Sequence, residues 1–196
     1  PGVSWGFTIR EQANYLARAA VEYKTMKNFQ RFHYHYIKDA QVENHHWGAF
    51  TALNQPKPLA ASMHSIAERL TGVTWLKSMH TPENVRAYLF DERDSGSGIR
   101  DARQMLVAWT VEGEEDWKIP VTCSSAETMD LMGVYRTLEV PGNTLNLALT
   151  ESPVFITPAD GTRLADAWIQ AVNRLMGLLC LVVAWDLGRH LWRGGE

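Results

Sequence analysis

The texture of the chain changes at Gly72, and this change limits the possible folds more than any other feature. Before it, apolar residues recur with helical spacing. Ile9, Ala13, Leu16, Ala17, Ala20 and Val21 fall on one face of a segment from Thr8 to Tyr23. Thr8 and Glu11 form a T-x-x-E capping box, which satisfies free N–H groups at a helix start. A second amphipathic stretch, Pro58 to Leu70, begins with proline and is followed by Gly72, the punctuation expected at a helix start and stop. Between them, "FQRFHYHYI" (29–37) alternates and is rich in aromatics, a strand pattern. Helix, strand, loop, helix is the order of an α/β repeat.

After Gly72 the runs shorten. "VTWLKSM", "NVRAYLFDE", "QMLVAWTV", "WKIPVTCSS", "VYRTLEV" and "TLNLALTESPVFI" are separated by turn-forming stretches such as "DSGSG", "EGEED" and "VPGN". Such short strands predict an antiparallel β-sandwich over 72–158, with Trp75, Trp109 and Trp117 in its core. In "MDLMG", Asp130 is placed to make a turn before Gly133. Residues 159–196 return to helical periodicity. Their apolar run "LMGLLCLVVAW" (175–185) has eleven residues, short of the roughly 20 needed to span a bilayer. It reads as a buried or interfacial helix, with weak membrane association as the alternative.

At 45% hydrophobic residues the 196-residue chain can bury a sizeable core. A net charge of -3 supplies no basic field for phosphates, so nucleic acid is not an expected partner. Cys123 and Cys180 have no CxxC or CxxH spacing and imply neither a disulfide framework nor a zinc site. The chain begins at Pro1, with no signal-peptide pattern behind it, so its true start is expected to be missing or processed.

The densest chemistry lies in "RFHYHYIKDAQVENHHWGAF" (31–50). His33 and His35 would share one strand face, with His45 and His46 beyond the loop, but the spacing fixes no third ligand and no metal is expected. Asp39 and Glu43 are the acids of this loop; Glu11, Glu22 and Glu68 read as solvated helix faces. A third reading is a sugar platform. A sugar ring has a flat C–H face and a hydroxyl edge, so its sites pair aromatic plates with hydrogen-bonding groups. His35, Tyr36, Lys38, Asp39 and Trp47 supply both and are the candidate substrate-binding residues. Ordinary core packing of the same aromatic side chains is the competing reading.

Several stretches resemble the carboxy-terminal part of retaining glycoside hydrolases of the large (β/α)8-barrel clan, the families with β-xylosidase and arabinofuranosidase activities. "PGVSWGFTIREQANYLARAA" is similar to the segment after the seventh barrel strand, and "FQRFHYHYIKD" to the eighth strand. "WGAFTALNQPKPLAASMHSIAERLTG" resembles the returning element, matching at Gly48, Pro56, Lys57, Pro58, Ala60 and Leu70. "VAWT", "MDLMG" and "LALTESPVFI" resemble the accessory β-domain. The resemblance implies an α/β plus all-β chain: the last βα unit or units of a TIM-type barrel (1–71), a β-sandwich accessory domain (72–158) and a helical tail (159–196). It implies a carbohydrate substrate, no cofactor, and an extracellular or periplasmic location. Retaining hydrolysis needs two carboxyl groups about 5 Å apart. In this clan they end the fourth and seventh strands, so the resemblance places both upstream of Pro1 and leaves no catalytic residue in this stretch. The rival expectation is a non-catalytic β-sandwich module that binds carbohydrate or protein, with the first helices as a docking arm.

Overall fold

Every residue of the strand Arg103–Thr110 except Arg103 is buried, so it must be covered on both faces. In the computed structural model, which describes residues 7–28, 31–35, 37–40, 46–92 and 103–159, it lies inside a six-stranded sheet. The strands are β1 (Val73–Ser78), β2 (Val85–Glu92), β3 (Arg103–Thr110), β4 (Glu115–Pro120), β5 (Ser125–Met129), β6 (Tyr135–Glu139), β7 (Thr144–Leu149) and β8 (Val154–Pro158). The large sheet runs β1-β2-β3-β8-β5-β6, and β4 pairs with β7 in a separate ribbon. All these ladders are antiparallel.

The two faces follow from the period-two alternation of side chains along a strand. Val85, Ala87, Leu89, Leu106, Ala108 and Ile156 point towards the ribbon and meet its Trp117, Ile119, Leu145, Leu147 and Leu149. Cys123 is buried in this layer. Phe90, Met105, Val107, Trp109, Met129 and Phe155 point the other way, where Ala17, Ala20, Val21 and Leu70 of two helices cover them. Trp109 is 2% exposed and stacks on Tyr88 with ring centroids 5.3 Å apart. Trp117 is buried and Trp75 half-buried, as their strand positions led one to expect.

Both predicted helices form: α1 (Ile9–Lys24) and α2 (Pro58–Leu70). The capping box is complete. The Glu11 amide donates to Thr8 Oγ1 at 3.1 Å, and the Thr8 amide donates to Glu11 Oε2 at 2.6 Å. Hydrogen bonding from Thr8 holds the Glu11 carboxyl below its ordinary range. α1 and α2 approach closely because small residues meet, Ser62 Oγ donating to the Ala13 carbonyl at 3.2 Å. Beyond α2, Gly72 adopts φ 76°, a left-handed conformation natural to glycine, and the chain enters β1. Ala17, Ala20, Val21 and Leu70 of the helices share a core with the large sheet.

Two sequence expectations need correction. "FQRFHYHYI" forms no strand in its described part: Lys38 makes one isolated parallel bridge with Phe50, and no ladder partner lies alongside 31–35. A strand is only as stable as the neighbours that hydrogen-bond it, whatever its alternation. The sandwich is also unequal, six strands against two, with helices on its outer face. Conversely, the polar "SAETM" forms β5, which its composition hides; it is held between β8 and β6. The turn after it is as expected: Asp130 Oδ1 accepts from the Met132 and Val134 amides at 2.8 and 3.0 Å, with Gly133 at φ 78°. The predicted helical tail lies outside the described residues. No described helix is long and apolar enough to cross a membrane.

Candidate functional site

The segment 46–57 is held by one buried ion pair. Lys57 Nζ lies 2.8 Å from Asp39 Oδ1, and these side chains are 7% and 4% exposed. The same ammonium donates to the His46 carbonyl at 2.7 Å, and the Gly48 amide donates to Asp39 Oδ1 at 2.7 Å. His46 Nδ1 stands 3.6 Å from Asp39 Oδ2. Around this centre the backbone closes: the Asp39 amide donates to the Phe50 carbonyl at 2.9 Å and the Phe50 amide to the Ile37 carbonyl at 3.0 Å. Gly48 is required by space, since a Cβ there would lie 2.4 Å from the Asp39 nitrogen and the Lys38 carbonyl carbon.

This bracket presents Trp47 to α1. The Trp47 carbonyl accepts hydrogen bonds from Gln12 Nε2 at 2.9 Å and from the Tyr34 hydroxyl. Gln12 Nε2 also donates to Tyr34 Oη at 3.2 Å. Burial raises the Tyr34 pKa, the Gln12 bond lowers it, and the nearby Asp39 charge raises it. Beside this knot a cavity of about 430 Å³ opens between the start of α1 and the residues Tyr34, His46 and Trp47. Its walls are mainly aromatic, from Phe7, Tyr15, Tyr34 and Trp47, with Gln12 and His46 as polar groups. Phe7 and Tyr15 meet edge to face, centroids 5.1 Å apart.

Of the five residues proposed from sequence, Trp47 is half-buried in the cavity wall, while His35 and Lys38 are exposed and do not line it. Asp39 is buried and its carboxylate is engaged by Lys57, Gly48 and His46. Tyr36 lies outside the described residues, as do Glu43 and His45. His33 is exposed, and among the described residues no cluster of three or more His, Cys, Asp or Glu side chains could hold a metal. No described carboxylate lines the cavity; its polar side chains are Thr8, Gln12, Tyr34 and His46.

Sequence reasoning missed Phe7, Gln12, Tyr15 and Tyr34. A signal existed on α1: Thr8, Gln12 and Tyr15 lie at i, i+4 and i+7, a polar and aromatic stripe beside the apolar one. What faces that stripe depends on where Tyr34, His46 and Trp47 fall, which local spacing does not decide.

No protein-family profile matches the chain, and no curated protein matches it by sequence. Among solved structures it is similar to a family 39 glycoside hydrolase from the gut symbiont Bacteroides cellulosilyticus WH2. The TM-score is 0.64 over 79% of this chain, at 20% identity. The match occupies 31% of that enzyme's chain, so the present chain spans less than a third of it. At this identity what the two share is a fold.

Proposed function

We propose that this chain is the terminal portion of a retaining glycoside hydrolase, with the catalytic carboxylates supplied from outside it and a sugar-binding wall centred on Trp47. In this reading residues 1–71 complete a (β/α)8 barrel and 72–158 form its accessory β-domain. The aromatic cavity carries the proposal. Its volume lies within the usual range for small-ligand sites, and its lining combines flat rings with the Gln12 amide and the His46 imidazole. The fold likeness to a family 39 glycoside hydrolase raises the weight of this reading by analogy. His35 and Lys38, both exposed, are the further candidate sugar contacts among the described residues, and Tyr36 remains a candidate from sequence. Asp39 acts through position, holding Gly48 and the segment that carries Trp47.

The test is calorimetric titration of the chain with xylo-, arabino-, gluco- and manno-oligosaccharides. Binding of at least one neutral sugar, lost in Trp47→Ala with unchanged circular dichroism, supports the reading. Binding that survives Trp47→Ala, or no binding by the folded chain, overturns the sugar wall.

A further inference from the structure

The large sheet is six strands wide and its ribbon only two, so at about 4.8 Å per strand the ribbon cannot cover the whole face. It lies over the β2, β3 and β8 side. Towards β5 and β6 the face stays open as a cleft of about 410 Å³, bounded by the start of β8 and by β7. Leu138 and Val154 contribute apolar floor, and Asn146 and Thr150 line the β7 side. Two arginines converge on it: Arg136 from β6 and Arg10 from the first turn of α1.

These guanidiniums differ from those of Arg18 and Arg69. Arg18 pairs with Glu151, and Arg69 with Glu92. Neither Arg10 nor Arg136 has an ion pair or side-chain hydrogen bond among the described residues. The one carboxylate in the lining, Asp130, has Oδ1 committed to the Met132 and Val134 amides. Two arginines against one aspartate make the lining itself net positive, while Glu11, Glu114 and Glu151 line the adjoining pocket that Arg10 also borders. A guanidinium is a planar fork of donors that matches a carboxylate in two-point contact. The apolar floor separates this cleft from a bare phosphate site, because inorganic phosphate has nothing to lay on Leu138 and Val154. Thr150 Oγ1 accepts from the Ser152 amide at 3.2 Å, which leaves its O–H to donate to a ligand.

We propose that this cleft binds an acidic saccharide, with Arg136 and Arg10 gripping its carboxylate and Leu138 and Val154 supporting the ring face. The sugar half of the assignment rests on the glycoside reading above; the acid half rests on the arginines alone.

The experiment is calorimetry of the full chain with a short oligogalacturonate, with the same oligosaccharide after carboxyl reduction, and with inorganic phosphate as competitor. The acidic form should bind, the reduced form should bind at least about tenfold more weakly, and Arg136→Gln and Arg10→Gln should each weaken the acidic form by about tenfold. Trp47→Ala should leave uronate binding intact. Equal binding of both forms, unchanged affinity in both arginine variants that keep native circular dichroism, or no uronate binding would overturn the cleft assignment. Displacement by phosphate at concentrations comparable with the uronate would overturn its saccharide part. Failure here with Trp47-dependent neutral binding retained refutes only the cleft, whereas loss of neutral binding with uronate binding retained refutes the wall.

Discussion

Replacing Lys57 by methionine isolates the bracket beneath the candidate site. Methionine keeps most of the buried methylene packing and removes the ammonium that lies 2.8 Å from Asp39 and 2.7 Å from the His46 carbonyl. The Asp39 carboxylate, 4% exposed, would then keep only the Gly48 amide at hydrogen-bond distance, with His46 3.6 Å away. Breaking one side of a buried ion pair costs about 3–5 kcal/mol, because the remaining charge is desolvated without compensation. Two residual contacts place Lys57→Met near the lower end, at about 3 kcal/mol. For a chain of this length that is a fall in Tm of roughly 6–12 °C. Urea unfolding at pH 7, followed by tryptophan fluorescence, would measure the loss. The double variant Asp39→Asn, Lys57→Met removes the stranded charge and should be clearly more stable than Lys57→Met alone. A single-variant loss below about 1 kcal/mol, the magnitude of a surface pair, would refute the reasoning. So would a double variant no more stable than the single one.

Gly48→Ala should cost about 2 kcal/mol or more in the same denaturation, because the atoms 2.4 Å from its added Cβ are backbone and cannot rotate away. Thr8→Ala should lose about 1 kcal/mol by removing the capping box, read as a lower urea midpoint. Trp109→Ala, in a layer closed on both sides, should cost about 3–5 kcal/mol and leave the chain largely unfolded on heating to temperatures the parent survives. With its pKa raised in the folded state, Tyr34 adds stability that is fully present below the ordinary tyrosine pKa and lost as pH rises through the folded value. Ultraviolet titration of the parent against Tyr34→Phe should assign a phenolate signal above the ordinary range to Tyr34; a normal pKa there would contradict its burial beside the Asp39 charge.

The helices were legible because their signals are local. A capping box, a 3.6-residue apolar stripe and a proline start act within a turn or two, and α1 and α2 form within a residue of where those signals put them. Most strands were legible for a similar reason, since alternation and turn residues are read over short windows. The failures are non-local. In the stretch 29–37, the described residues 31–35 carry strand chemistry without a ladder, while "SAETM" becomes a strand because β8 and β6 lie on either side of it.

The candidate site divides in the same way. Sequence alone determined that aromatic residues, histidines and an aspartate crowd into 31–50. Tertiary structure decided what each one does. Asp39 and Lys57 are eighteen residues apart, yet form one buried pair. Gln12 reaches Trp47 across thirty-five residues. The Arg10 and Arg136 cleft depends on a two-stranded ribbon failing to cover a six-stranded sheet. A propensity acts through the residue and its immediate neighbours, whereas a cavity, a buried charge and an uncovered face exist only where distant segments meet.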